Sequence, residues 1–212
     1  MKDLFCLIMA GGSGTRFWPW SRTVKPKQFF KIFNDESLIQ STISRFSTFI
    51  STENIYIVSN KSQSAVLEGQ TSMLYRENLI YEPVGKNTLP CIGLAAMFAE
   101  LENPEGIMVV SPSDHHIHNE KLFSETIHAA IIIALENEGI VTIGITPNSP
   151  ATGYGYIQTA EDITGRNSIK QFKIKQFVEN PTKSQQPVTL KREDFIGTAV
   201  YLFLKYRYFL NQ

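Results

Sequence analysis

The sequence predicts an α/β fold, a mostly parallel sheet flanked by helices, with a β-rich stretch toward the C-terminal end. Two observations carry this. Short apolar runs alternate with helically spaced apolar residues from Leu4 to Ile145, the pattern of β-α units that stack side by side. Beyond Pro147 the rhythm changes to strand-like runs separated by polar turns, with no helical pattern.

Taken in order, Leu4 to Met9 reads as a buried strand. Leu38, Ile39, Thr42, Ile43, Phe46 and Phe49 then recur at helical spacing after a cap-like Asp35. Asn54 to Val58 is a second strand, followed by a weaker helical pattern over Gln63 to Tyr75. Leu79 to Tyr81 is a short strand, and Leu89 to Leu101 is an alanine- and leucine-rich helix. Ile107 to Val110 is fully apolar and strand-like. Phe123 to Leu135 carries an apolar stripe, and Gly139 is placed to stop that helix before a strand at Ile140 to Ile145. Tyr156 to Thr159, Ile169 to Val178 and Thr198 to Leu204 complete the predicted strands. Strands alternating with helices imply right-handed crossovers and helices on both faces of the sheet, a Rossmann-like arrangement.

Composition narrows the class. Apolar residues make up 42% and charged residues 19%, the balance of a globular chain rather than a disordered one. Twenty basic and twenty acidic residues cancel, which argues against broad electrostatic binding to nucleic acid or anionic membrane. Cys6 and Cys91 lie in apolar surroundings without CxxC spacing and read as free, buried thiols in a reducing compartment. The run LFCLIM is too short, and too closely followed by Gly11-Gly12, for a signal peptide, so a cytoplasmic location is expected. Residues 1–212 read as a single domain in two parts, 1–146 and 147–212. The final strand runs directly to Gln212, so the domain is expected to be C-terminally incomplete.

The richest chemistry lies after the first strand. Gly11-Gly12-Ser13-Gly14-Thr15-Arg16 follows an apolar strand directly, and glycines let backbone N–H groups converge on an anion. Arg16 adds a planar fork suited to phosphate oxygens, and Lys25 and Lys27 add point charges. A Walker A loop is excluded, because Thr15-Arg16-Phe17 stands where GK[ST] belongs. A dinucleotide fingerprint is excluded, because the last glycine of GxGxxG is Phe17. The loop is expected to grip nucleotide phosphates.

Gly11 to Pro19, with Ser21-Arg22 and Pro26-Lys27-Gln28-Phe29, resembles the opening signature of sugar-phosphate nucleotidyltransferases, the mannose-1-phosphate guanylyltransferase branch being nearest. Four further segments resemble that family in order: Glu82 to Pro90, Ser111 to His115, Thr152 to Ile157 and Phe177 to Pro181. The resemblance implies transfer of GMP from GTP to mannose 1-phosphate, giving GDP-mannose and pyrophosphate with the help of Mg²⁺. It implies that Gly11, Gly12, Gly14 and Thr15 hold the nucleotide, with Arg16 and Lys27 as catalytic cations on the phosphates. Glu82, Gly85, Asn87 and Thr88 would read the guanine. Asp114 would be both a catalytic residue and the metal ligand, as its place after an apolar strand suits. Gly153, Tyr154, Gly155 and Glu179, in a β-rich insertion, would bind the sugar. His115, His116 and His118 suggest zinc only weakly, because adjacent strand-end histidines point apart and no cysteine completes the set.

Three departures bear on activity. Asn180 stands where the family has lysine, Gly197-Thr198-Ala199 where it has Asn-Ser-Gly, and the sequence stops before the stretch expected to supply the family's second metal-binding aspartate. Lys86, where the family has arginine, keeps the charge but not the bidentate fork. Two alternatives therefore stay open: a pyrophosphorylase for another sugar or base, and a non-catalytic nucleotide-binding or regulatory homologue. No nucleic-acid or membrane partner is expected; self-association into a homo-oligomer is compatible with the sequence.

Overall fold

The computed structural model describes residues 4–12, 17–85, 87–147, 155–164, 169–178 and 195–205. Within them lie β1 (Leu4–Met9), α1 (Leu38–Ser47), β2 (Ile55–Asn60), α2 (Ser64–Gln70), β3 (Leu79–Glu82) and α3 (Thr88–Glu102). There follow β4 (Ile107–Pro112), α4 (Glu120–Glu136), β5 (Ile140–Ile145), β6 (Tyr156–Asp162), β7 (Phe172–Val178) and β8 (Phe195–Lys205). The strands form one sheet in the order β3-β2-β1-β4-β8-β6-β7, with β5 also paired to β8. The pairs β2–β3, β1–β2 and β1–β4 are parallel; every pair made by β6, β7 or β8 is antiparallel.

The parallel half is buried on both faces, which explains its unbroken apolar runs. Along β1, Leu4, Cys6 and Ile8 face a cluster with Ile39, Ile43 and Phe46 of α1 and Phe123 and Ile127 of α4. Phe5 and Leu7 point the other way, onto Cys91, Ile92, Ala95, Ala96 and Ala99 of α3. Alternate residues of one strand thus feed two cores.

Local chemistry moves several boundaries from those expected. Helix α1 is capped by Ser37 rather than Asp35: the Ser37 hydroxyl accepts the Gln40 N–H, and the Gln40 side chain accepts the Ser37 N–H at 3.0 Å. This reciprocal box satisfies two otherwise orphaned donors. Helix α2 stops at Gln70, short of Tyr75, where the Thr71 hydroxyl bonds back to the Leu67 carbonyl at 2.8 Å. Helix α4 begins three residues early, because Asn119 caps the Leu122 N–H at 3.0 Å. Helix α4 ends at Glu136, with Asn137 as an extended C-cap whose N–H returns to the Ile133 carbonyl. The expected stop at Gly139 thus lies two residues past the actual one; Gly139, with φ of 142°, serves the turn into β5 instead.

Strand β8 joins the two halves. Leu202 pairs with both Val110 of β4 and Thr142 of β5, while Gly197 pairs with both Tyr156 of β6 and Ile145 of β5. One edge of β8 therefore carries β4 and then β6, and the other carries β5. A bulge between Thr142 and Gly144 adjusts the β5 register. A Cβ on Gly144 would sit 2.1 Å from Ile196 Cδ1, so that side chain would have to shift to admit one. Among the described residues no helix is long and apolar enough to cross a membrane.

Candidate active site

The strand order reverses at β1, running through β2 to β3 on one side and to β4 on the other, and the loops leaving β1 and β4 emerge side by side at this reversal. Ligands of open α/β sheets bind in the crevice at such a switch, outside the carboxyl ends of the strands. Met9 pairs with Pro112, and the Ser113 N–H donates to the Met9 carbonyl at 3.2 Å. Gly11 and Gly12 on one side and Asp114 on the other thus emerge from adjacent strand ends, and both glycines are exposed.

Lys27 joins them from a separate segment. It opens a short 3₁₀ turn, Lys27–Phe29, and its ammonium forms an ion pair with the Asp114 carboxylate. The same ammonium stands 5.9 Å from the Phe17 ring centre. Trp18 and Trp20, which follow Phe17, are largely exposed at the rim. The turn is anchored by Phe29 in the core and by Gln28, whose side chain donates to the Ala10 carbonyl at 2.8 Å.

Glu82 ends β3 and is buried to 7% exposure. Its Oε2 lies 3.4 Å from where a Cβ on Gly11 would stand, so the carboxyl group packs against the glycine loop. Burial raises its pKa above the ordinary carboxylate value. Asn87 precedes α3 with φ of 69°, a left-handed conformation uncommon for a residue other than glycine. Its side chain does not cap the helix, so ordinary capping does not account for it. Gly85, Asn87 and Thr88 are all exposed. The structure therefore brings Gly11, Gly12, Lys27, Glu82 and Asp114 into one crevice, with Gly85, Asn87 and Thr88 on the segment leading from Glu82 into α3. Gly14, Thr15, Arg16, Gly153, Tyr154 and Glu179 lie outside the described residues, as do Lys86 and Asn180.

Gly155 has a different setting. Its carbonyl accepts the Thr198 N–H at 3.1 Å and the Thr198 hydroxyl at 3.3 Å. That carbonyl is tied to β8.

Of the histidines after Asp114, His115 parts from the other two, whereas His116 and His118 meet, against the expectation that they point apart. The His115 ring meets Tyr201 edge-on at 5.4 Å, and burial lowers its pKa. His116 stacks on Phe33 at 3.7 Å and meets His118 edge-on at 4.4 Å. Asp114, a hard oxygen ligand at the crevice, suits a divalent cation that completes its shell with water and phosphate oxygens.

Two side chains beneath the loop escaped the sequence reading. Ser59 and Gln63 are buried to 0% and 1% exposure and reach the carbonyls of Ala10 and Gly12 respectively. A serine ending an otherwise apolar strand was the one signal available for them.

Residues 5–210 match the nucleotidyl transferase family. The chain is 37% identical over 212 residues to a mannose-1-phosphate guanylyltransferase of Escherichia coli (strain K12), covering 98% of this chain and 44% of that one. It is 36% identical over 208 residues to a mannose-1-phosphate guanylyltransferase of Klebsiella pneumoniae, covering 97% and 44%. This chain thus spans less than half the length of these curated relatives. A solved structure from Thermus thermophilus, described as a mannose-1-phosphate geranyltransferase, superposes with a TM-score of 0.86 at 25% identity, covering 98% of this chain and 58% of that one. With its glycine loop, paired lysine and aspartate and near-complete match, the chain belongs to the nucleotidyl transferase family.

Proposed function

We propose that the chain carries the nucleotidyl-transfer site of an enzyme that moves GMP from GTP to mannose 1-phosphate, giving GDP-mannose and pyrophosphate. The observation that carries this reading is the convergence of Gly11, Gly12, Lys27 and Asp114 at the sheet's switch point. Relatives named mannose-1-phosphate guanylyltransferase support the choice of base and sugar.

In this reading an oxygen of the sugar phosphate attacks the α-phosphorus, and the bond from that phosphorus to the bridging oxygen of the β-phosphate breaks. Pyrophosphate leaves with the bonding electrons. The attacking phosphate has a second pKa of about 6 and is largely dianionic at neutral pH, so no side-chain nucleophile is required. The chain's task is positioning and charge neutralisation. Gly11, Gly12, Gly14, Thr15 and Arg16 hold the triphosphate, and Lys27 leaves Asp114 to meet its oxygens. A Mg²⁺ ion held by Asp114 and by phosphate oxygens would neutralise charge on the triphosphate. Glu82, Gly85, Asn87 and Thr88 read the guanine edge; Gly153, Tyr154, Gly155 and Glu179 form the mannose side.

Residues 1–212 act as one unit with a nucleotide part, 1–146, and a sugar part, 147–212; the shared strand β8 supports this. The protein works in the cytoplasm, a reading its two free, buried thiols support, and without nucleic-acid or membrane partners, a reading its cancelled charge supports.

The test is product formation by the 212-residue chain with mannose 1-phosphate and GTP, UTP, dTTP or ATP in competition. GDP-mannose as the main product is expected, and a preference for UTP overturns the assignment of the base. One observation favours a second reading, a nucleotide-binding homologue without turnover: Thr198, standing in the family's Asn-Ser-Gly segment, occupies the Gly155 carbonyl. Saturable GTP binding with no GDP-mannose would select it.

A further inference from the structure

The Ala10 carbonyl points into the protein, where Gln28 Nε2 donates to it at 2.8 Å and Ser59 Oγ lies 3.2 Å away. The Ala10 N–H is engaged by the Val58 carbonyl at 2.8 Å. Two residues on, the Gly12 carbonyl accepts from Gln63 Nε2 at 3.4 Å. The Gln63 oxygen in turn stands 3.1 Å from Ser59 Oγ and 3.5 Å from Gln28 Nε2. Both amides keep one orientation through this set: each donates through nitrogen to a loop carbonyl, and the Gln63 oxygen accepts from its neighbours. The single Ser59 proton serves either the Ala10 carbonyl or Gln63.

Ser59, Gln63 and Gln28 are 0%, 1% and 3% exposed. Burying three polar side chains costs free energy unless each is satisfied. Here their bonds converge on two carbonyls of one short loop. A trans peptide is planar, so the Ala10 carbonyl and the Gly11 N–H point in opposite directions. Holding that carbonyl inward turns the Gly11 N–H outward, toward the crevice shared with Lys27 and Asp114.

We propose that Gln63 and Ser59 are positioning residues that preset the glycine loop for a triphosphate. They lie behind the loop and touch no substrate. The brace removes the need to order the loop peptides at the moment of binding, a cost that a preorganised site avoids. The inference rests on the reading that the glycine loop takes the triphosphate.

The test compares wild type, Gln63→Met, Ser59→Ala and the neighbouring control Ser62→Ala. Each is titrated with GTP, inorganic tripolyphosphate and guanosine, following the fluorescence of Trp18 and Trp20, the two tryptophans of the chain. Thermal unfolding is recorded for each protein. Losing one such hydrogen bond is expected to weaken GTP and tripolyphosphate by about 3- to 10-fold in Gln63→Met and Ser59→Ala. Guanosine affinity and the Ser62→Ala control should match wild type. Unchanged triphosphate affinity in both folded variants overturns the proposal, as does an equal loss for guanosine, which marks a general structural role. Failure of both variants to fold makes the brace a determinant of the fold and also overturns it. Wild type that binds neither GTP nor tripolyphosphate defeats the underlying site reading, a result distinct from all of these.

Discussion

The Lys27 ammonium is paired with the Asp114 carboxylate, so two groups expected to serve phosphate and metal neutralise each other across the mouth of the crevice. The pair joins a turn that follows the glycine loop to the end of β4. A ligand that brings both phosphate and a divalent cation offers each partner a replacement, so in the proposed reaction the ion pair is the resting arrangement that such a ligand would take apart.

Lys27→Met should weaken GTP binding by about 1.5–3 kcal/mol, or roughly 10- to 150-fold, the worth of a charged hydrogen bond. Asp114→Asn should instead retain GTP binding in EDTA and lose the response to Mg²⁺. Fluorescence titrations with and without Mg²⁺ separate the two, and an equal Mg²⁺ response in both variants would remove Asp114 from the metal.

Glu82 gives a pH-dependent prediction. Burial raises its folded pKa above the ordinary 4.5, so the native state holds the proton more tightly than the unfolded chain. The group therefore lowers stability as pH rises through and above that value, and the penalty is relieved on acidification. Glu82→Gln should raise the melting temperature at pH 7, with a gain that shrinks toward pH 4.5. It should also weaken GTP relative to tripolyphosphate if the carboxylate reads the base.

Both thiols should be inert in the folded protein. Burial pushes Cys6 well above its usual pKa, and burial with the nearby Glu82 charge pushes Cys91 up to about 12. At pH 8 a disulfide reagent should leave the native chain almost unlabelled and titrate two thiols once denaturant is added. Rapid labelling of the native protein would contradict the buried placement.

Gly144→Ala should cost about 0.5–1.5 kcal/mol, because the added methyl forces the half-buried Ile196 side chain out of its rotamer. Ile196→Ala in the same chain should restore part of the loss. Denaturant unfolding of the two single variants and the double variant measures this coupling.

The strands of the parallel half were legible because burial on both faces leaves an unbroken apolar run, and β5 was found at the expected Ile140–Ile145. Helix ends were less legible. Asp35 had the right chemistry for a cap, but Ser37 had it at the spacing that Gln40 could reciprocate. The helical pattern over Gln63 to Tyr75 counted apolar residues without weighing Gly69 or the back-bonding Thr71. The position of β8 between β4 and β6 was not legible, since partner choice among antiparallel strands depends on contacts distant in sequence. In the site, residues carrying charge or glycine announced themselves, and the structure brought Lys27 to Asp114. Ser59 and Gln63 did not, because an uncharged side chain beneath a loop acquires its role only when the chain folds over it.

Strand β8 gives its last residues to β4 and its first residues to β6, with β5 along its far edge. Neither half can therefore be inherited alone. A recombination that exchanged the strands from β6 to β8, with a crossover before β6, would have to supply a last strand that also fits Ile107 to Val110 of β4. Change in this part of the sheet is therefore easier by single substitutions than by exchange of a module.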